Sequence, residues 1–298
     1  MSTATLPTQT VVLPDLLGLS RERLREALAP VIDKPFRVEQ IYQALYTRGV
    51  TSFEEMTDLS KDLRARLAER FRIGLPEIDT RALASDGTGK YLFRLHDGAT
   101  IEAVDIPDGD RRTFCISSQA GCALACKFCV TGYWGAGRNL TAGEIVGQVL
   151  AIRADRGLPA EGLNLVFMGM GEPLLNLENL EAALAILTET ISPRRITVST
   201  VGILPGLEAM ASWERRPNVA ISLHAPDEAR RAKIMPINRT YPLDDLMAAL
   251  CRYPLEPGRK ITFEYILIRD LNDAPADADQ LAKLLRGLRA KVNLIPIN

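Results

Sequence analysis

The chain has 298 residues, 47% of them hydrophobic and 24% charged, with a net charge of −1, five cysteines and two histidines. That length and apolar content suffice for a sizeable core with a smaller module attached, and no apolar run approaches the ~20 residues of a membrane-spanning helix. The near-neutral charge excludes nucleic-acid binding through a globally basic surface, so any such contact must come from local patches.

The N-terminus MSTATLPTQT lacks the basic and apolar regions of a signal peptide, which points to a soluble, cytoplasmic protein. From about Leu16 to Leu75 the pattern predicts short helices, with apolar positions at helical spacing in Leu24, Ala27, Leu28 and Val31 and again in Leu59, Leu63 and Leu67. Ser52 followed by Glu55 is a capping-box signature. The basic residues of this module, Lys34, Arg37, Lys61 and Arg64, read by default as a solvated face and alternatively as a polyanion contact. After Pro76 the pattern switches to strands: Lys90–Leu95, a turn at His96-Asp97-Gly98, and Thr100–Ile106 form a hairpin with alternating faces.

From Arg111 onward, six short strands alternate with amphipathic stretches: Thr113–Ser117, Leu163–Met168, Arg195–Thr200, Asn218–Leu223, Ile261–Ile268 and Lys291–Ile297. Thr141 and Glu144 form a capping box opening the first helix between them. This series predicts an α/β fold with a parallel sheet, either open and doubly wound or a partial TIM-like barrel, with the site in the loops beyond the strand C-termini. The expected division is a helical accessory domain over 1–76, a β-hairpin extension over 77–110 and a core over 111–298. Arginines fall in pairs, Arg111/Arg112, Arg194/Arg195, Arg215/Arg216 and Arg230/Arg231, with Arg259/Lys260 alongside. Such pairs are more often solvated element ends than a phosphate track.

Cys122, Cys126 and Cys129 follow the first predicted core strand at the spacing C-x3-C-x2-C, with Phe128 just before the third. Three thiolates can hold three irons of a 4Fe–4S cluster and leave the fourth free for a ligand that is not protein, such as the amino and carboxylate groups of S-adenosylmethionine (SAM). The competing reading is a structural zinc with its fourth ligand among His96, His224, Cys115 and Cys251. Cys251, at helical spacing from Leu243, Leu246, Met247 and Leu250, reads as a core-facing thiol. The next strands end in small or polar residues: Gly169-Met170-Gly171-Glu172-Pro173, Ser199-Thr200, Ser222-Leu223-His224 and Asn298. Each is weak alone, and their shared position beside the cysteine loop makes a site of them.

With these motifs in place the chain resembles the RlmN/Cfr family of radical SAM adenosine methyltransferases. The matching text is Cys115-Ile116-Ser117-Ser118-Gln119 before the cysteine loop, Arg138–Ile145, Met168–Leu174, Ser199–Gly202, Ser222–Pro226, Met235–Arg239, Asn293–Pro296 and the helical N-terminus around Lys34–Arg37. The fit is closer to the RlmN branch, which methylates carbon 2 of an adenosine in 23S rRNA and in tRNA, than to the Cfr branch, which acts at carbon 8.

The resemblance implies a (βα)6 radical SAM barrel behind the helical module and hairpin. It implies a 4Fe–4S cluster on Cys122, Cys126 and Cys129, and SAM contacts from Gly171, Glu172, Ser199, Ser222, Leu223, His224 and Asn298. Further implications are a monomer, 23S rRNA and tRNA as partners, and an electron donor such as flavodoxin or ferredoxin. In the family's reaction one SAM methylates a C-terminal cysteine and a second is cleaved to a radical that activates that methyl group for addition to adenine. Glu102 matches the carboxylate that removes the ring proton, and Cys115 the thiol that releases the adduct by forming a disulfide. No cysteine here matches the methyl carrier, which in the family lies beyond the segment that follows the sixth strand. The expectation is therefore a C-terminally incomplete sequence, inactive in methyl transfer as it stands. A radical SAM enzyme of another substrate, or a non-methylating RNA-binding relative, is the alternative.

Overall fold

The computed structural model describes residues 13–159 and 161–297. The chain begins with helices α1 (Arg21–Leu28), α2 (Phe36–Gln43), which runs on into a π turn, and α3 (Lys61–Arg70). Ser20 and Ser60 cap α1 and α3 by accepting the backbone N–H three residues on. The expected stripes face inward: Leu24, Leu28 and Val31, and Leu59, Leu63 and Leu67, are buried. The Ser52–Glu55 signature opens no α-helix. It closes one 3-10 turn, in which Glu55 Oε1 accepts from Thr51 N and the Ser52 hydroxyl.

Strands β1 (Glu77–Leu83), β2 (Gly89–Arg94) and β3 (Thr100–Asp108) form an antiparallel meander, and β3 pairs with β4 (Arg111–Cys115). The expected hairpin is thus β2–β3, with β1 added at its edge. Strand β1 shows almost no burial alternation, which is why hydrophobic patterning alone does not mark it. After β4 the two-residue strands β5 (Gln119–Ala120) and β6 (Arg138–Asn139) enclose the short helix α4 (Val130–Trp134). Then come α5 (Ala142–Arg156), β7 (Leu163–Phe167), α6 (Leu177–Leu187), β8 (Ile196–Thr200), α7 (Leu204–Ala211), β9 (Asn218–Ser222), α8 (Glu228–Ile234), α9 (Leu243–Arg252), β10 (Ile261–Leu267), α10 (Pro275–Leu284) and β11 (Ala290–Pro296).

One nine-stranded sheet runs β1-β2-β3-β4-β7-β8-β9-β10-β11, and its last six strands are parallel. Those six stand in chain order with no reversal. A doubly wound sheet needs a switch point where the order turns back, so this is the open (βα)6 partial barrel. One strand face is apolar: Leu163, Leu165 and Phe167 of β7 and Ile196 and Val198 of β8 are buried. The other carries polar side chains in register rows, with Ser199, Thr262 and Lys291 in the row through Ala220 and Ser222, Glu264 and Asn293 in the next.

Helix α5 joins the parts. Gly18, at φ +84°, passes so close to its first turn that a Cβ there would lie 2.2 Å from Gly143 N, and a Cβ on Gly143 would lie 2.5 Å from Leu17 O. Only two glycines permit this backbone contact between helical module and core. At its other end, Asp155 accepts from Tyr91 Oη at 2.7 Å and from Arg81 Nη1 at 2.6 Å, and Arg156 Nε donates to Asp105 at 2.9 Å. Asp105 is fully buried on β3 and also accepts from Arg112 Nε at 2.9 Å.

Helix α9 corrects one expectation. Its inward stripe is Leu243, Leu246 and Leu250, and Cys251 is exposed. At about 100° per residue, the position after Leu250 has already rotated off the buried stripe. The arginine pairs are largely structural: Arg112 is bound to Asp105, Arg230 to Asp227 and Asp277, Arg216 to the Trp213 carbonyl, and Arg259 to Glu256. Arg231 departs from the expectation altogether. It is fully buried.

Because Asp105 alone neutralises two guanidiniums at a buried point, Asp105→Ala is expected to cost roughly 3–5 kcal/mol of unfolding free energy. Arg111→Ala, which removes an ion pair whose side chains are 66% and 68% exposed, is expected to cost under ~1 kcal/mol. Denaturant midpoints of the two variants check the difference.

Candidate active site

The cysteine loop is clasped at its base. Beyond β4, Ile116 N donates to Val166 O at 2.9 Å and Gly169 N donates to Ile116 O at 3.1 Å, so the two strand ends stay tied past their last paired residues. The fully buried Gln148 of α5 accepts from Ser117 N at 2.9 Å and donates to Ser117 O at 3.0 Å. Asn176 Nδ2 donates to Ser118 O at 2.9 Å and to Leu140 O at 2.7 Å, stitching the two ends of the loop together. At the neck formed by β5 and β6, a Cβ on Gly137 would lie 1.4 Å from Ala120 O, so the strands meet only because that position is glycine.

Inside the clasp the backbone turns tightly. Cys122 N donates to Gly135 O at 2.9 Å and Cys129 N to Cys126 O at 3.1 Å, with Ala125 in the left-handed region at φ 51°. Lys127 N donates to Ile234 O at 2.9 Å, which docks the loop on the end of α8. The Phe128 ring stands edge-on to the His224 ring, 4.5 Å between centroids.

The three thiols share one environment. Burial pushes the Cys126 thiol up to about 12, and the neighbouring charges of Cys122, Cys129 and Glu172 push the same way while Arg231 opposes them. Cys122 is raised by burial and then by Cys129 and Glu172. Among the described residues no three His, Cys, Asp or Glu side chains converge on a single metal ion, whereas zinc draws four donors to within about 2.0–2.3 Å of one centre. None of the other zinc-ligand candidates completes a three-donor group with the loop among the described residues. His224 Nδ1 accepts from Ile266 N at 3.2 Å, His96 lies 3.8 Å from Glu144, Cys251 is exposed on α9, and Cys115 lies on β4. Three soft donors in one clasped loop fit a cubane that takes one thiolate at each of three corners.

Glu172 forms the adjoining wall. It is 3% exposed; Oε1 accepts from Leu174 N at 3.0 Å, Oε2 from Val201 N at 2.9 Å, and its own N–H donates to Gln119 Oε1 at 2.9 Å. Burial raises its carboxyl to about 7, against the hydrogen bonds from Thr200, Val201 and Leu174. Gly171, at φ +99°, admits no side chain, since a Cβ would lie 2.5 Å from the Gln119 Cβ.

Ser199 and Ser222 sit on the polar sheet face near the ends of β8 and β9. Leu223 and His224 both donate their N–H to Glu264 O, at 3.1 and 3.2 Å. His224, at φ 59°, is 3% exposed, and burial followed by the charge of Arg231 lowers it to about 3. With Nδ1 accepting a hydrogen bond, it is a neutral ring that supports Phe128. Asn298 lies outside the described residues.

Glu102 and Cys115 lie on one face of the sheet, since Val104 pairs with Cys115 and Glu102 stands two residues from Val104 along β3. Ser117 Oγ donates to Glu102 O at 2.6 Å, bringing the strand to the base of the cysteine loop. The Glu102 side chain is 32% exposed and pairs with Lys90 Nζ at 2.8 Å. Burial pushes the Cys115 thiol up to about 11, against a hydrogen bond from the Met168 backbone.

Sequence reasoning does not find Gln119, Gln148, Asn176 or Arg231. The first three serve the site through backbone groups distant in the chain, which no local pattern encodes. The only trace of the fourth is its place seven residues after His224, in a segment that reads as a solvated helix.

A model of the ribosomal RNA large subunit methyltransferase N-terminal domain matches residues 14–73, and a model of the radical SAM superfamily matches residues 116–283. The chain is 48% identical over 297 residues to the dual-specificity RNA methyltransferase RlmN of Anaeromyxobacter dehalogenans, covering 96% of this chain and 79% of that protein. To the protein of the same name from Syntrophobacter fumaroxidans it is 49% identical over 279 residues, covering 92% and 81%. The crystal structure of a radical SAM methyltransferase from Sphaerobacter thermophilus matches with a TM-score of 0.90 at 43% identity, covering 96% of this chain and 85% of that one. With the helical module, the cysteine clasp and the parallel barrel all accounted for, the chain belongs to the RlmN family of radical SAM RNA methyltransferases.

Proposed function

We propose that this chain, together with the family's C-terminal cysteine segment, methylates carbon 2 of an adenosine in 23S rRNA and tRNA, with Cys122, Cys126 and Cys129 as ligands of a 4Fe–4S cluster. The observation that carries the reading is the clasped loop of three thiols beside the buried carboxylate of Glu172, at the C-terminal ends of six parallel strands. When bound, the cluster and SAM supply one-electron cleavage of the sulfonium, with the electron coming from a donor of the flavodoxin or ferredoxin type. Glu172 and Gly171 receive the amino group of SAM, the first by charge and the second by letting the backbone approach. Ser199, Ser222, Leu223, His224 and Asn298 contribute the remaining contacts. Glu102 removes the proton from the adenine ring and Cys115 resolves the covalent adduct. Both stand on the sheet face that also carries Ser199 and Ser222.

The division into 1–76, 77–110 and 111–298 belongs to the same proposal. It is supported by the change from helices to an antiparallel meander at Glu77 and to the parallel series at Arg111. Substrate RNA meets the helical module through Lys34, Arg37, Lys61 and Arg64. Arg37 and Arg64 also donate to the carbonyls of Asp58 and Glu54, which fixes their direction.

Cys126→Ala is expected to abolish iron binding and SAM cleavage together after anaerobic reconstitution, while Cys251→Ala, at an exposed position, leaves both intact. Full iron content in Cys126→Ala would overturn the ligand assignment.

SAM affinity should depend on pH through Glu172. Its folded carboxyl, raised to about 7 by burial, holds a proton that the unfolded chain releases near 4.5, so its contribution to stability is present below 4.5 and lost as pH rises through 7. Ion pairing with the SAM ammonium needs the ionised form. Affinity should therefore rise by up to about tenfold per pH unit toward 7 and level off above it. Titration calorimetry of the cluster-loaded chain checks this, and a pH dependence unchanged in Glu172→Gln sinks it.

Glu102→Gln should leave folding, iron content and SAM cleavage nearly unchanged. In a chain that carries the family's C-terminal cysteine segment, it should stall turnover after carbon–carbon bond formation, because no base takes the ring proton. Accumulation of a covalent protein–RNA adduct on a denaturing gel is the readout, and a normal yield of methylated adenosine excludes the role.

A further inference from the structure

We propose that Arg231, fully buried between the ends of β8 and β9 and one helical turn from the carbonyl that docks the cysteine loop, is the counter-charge that sets the reduction potential of the cluster. The inference rests on the reading of Cys122, Cys126 and Cys129 as cluster ligands. Arg231 has no exposed surface. Its Nη1 donates to Asn238 Oδ1 at 2.5 Å, and its Nη2 to Val201 O at 2.6 Å and Ser222 O at 3.2 Å. These acceptors are all uncharged, and Nε has no partner. Burying a guanidinium among neutral acceptors is costly, so its retention calls for an anion close by.

Two acidic groups face this region. Glu228, on the same helix, is held one step away: Oε1 accepts from Asn238 Nδ2 at 2.6 Å and Oε2 from Leu243 N at 2.8 Å, so both oxygens are committed elsewhere. On the other side stand the thiols. Ile234, one turn beyond Arg231, accepts from Lys127 N at 2.9 Å, the residue next to Cys126. The charge of Arg231 is felt at Cys126 and at His224, and burial lowers Arg231 itself to about 10, opposed first by the charge of Glu228 and then by that of Cys126. The same guanidinium steadies the carbonyl of Val201, whose N–H holds Glu172. It thus lies beneath both halves of the site.

A 4Fe–4S centre bound by three thiolates is anionic, and accepting one electron adds a negative charge. A fixed cation in a low-dielectric pocket favours the reduced state and raises the potential. A purely structural Arg231 would affect melting and iron content and leave the potential where it was.

The test is an EPR-monitored redox titration of the reconstituted full chain, with a low-potential chemical reductant supplying the electron. Arg231→Met should shift the midpoint to more negative values, by at least a tenfold fall in the reduced-to-oxidised ratio at a fixed poise, or about 59 mV for a one-electron couple. Arg231→Lys should restore most of the shift. Glu228→Gln removes the opposing acid and keeps one of its two acceptor oxygens, and should move the midpoint the other way. If Arg231→Met holds no iron, Arg231→Lys and Glu228→Gln decide. An unchanged midpoint in Glu228→Gln, or in an iron-replete Arg231→Met, overturns the inference. A wild-type chain that takes up no iron overturns the ligand assignment first and this inference with it.

Discussion

The upper rim of the barrel depends on the burial of one carboxylate. Glu172 ties three chain segments together: its N–H binds Gln119 at the base of the cysteine loop, and its oxygens hold Leu174 beyond β7 and Val201 beyond β8. Replacing it with an apolar residue would orphan the Val201 N–H, which is buried, at a cost of about 1–3 kcal/mol before any ligand is considered. The loop that presents the thiols and the ends of β7 and β8 are thus positioned by the same group. Arg231 repeats the arrangement one layer lower, joining Val201 to Ser222. The two opposite charges do not touch. They are separated by Val201, and each is left with capacity for a ligand.

The accessory elements converge on the helix that also secures the cysteine loop. Helix α5 supplies Gln148 to Ser117, Gly143 to the Gly18 contact, and Asp155 and Arg156 to the meander. Its burial runs from Ala142 to Arg153 with scarcely a polar face. A helix buried almost all round loses its amphipathic signature and becomes a hub between layers. That accounts for two glycines within six residues, at 143 and 147, each of which would clash with the N-terminal segment if it carried a side chain.

Much of this was legible in the sequence. The six core strands are found within a few residues of their patterned positions, because parallel strands under helices are short apolar runs bounded by turns. The cysteine loop is legible because few chemistries need three thiols at that spacing. What escaped detection is tertiary in origin. Strand β1 is a solvent-facing edge, and exposed edges carry no hydrophobic alternation. Cys251 misses the buried stripe of α9 by one position, a resolution that periodicity alone does not reach. Arg231 could not be told from its neighbour Arg230, which sits at the surface in an acidic clamp with Asp227 and Asp277. The two arginines differ only in the direction of their Cα–Cβ bonds on a seven-residue helix. The sequence likewise ranks His224 among SAM contacts, whereas the structure adds its support of Phe128.

The perturbed groups of the site share one direction. Cys122 and Cys126 are held as thiols, Glu172 is raised toward neutrality, His224 is held neutral, and the buried Arg231 is lowered. In each case desolvation is the leading cause, so the fold itself disfavours charge at this rim. On the proposed assignment, assembly of the cofactors would reverse that bias group by group: iron would displace the thiol protons, an ammonium would ionise Glu172, and an anionic cluster would give Arg231 a partner. Loading would then be coupled to proton release and to local stability, because every charge created would arrive with its compensating one. The same desolvation makes each charge introduced there act strongly on the others. A cluster and a sulfonium held there, as proposed, would be controlled through that coupling.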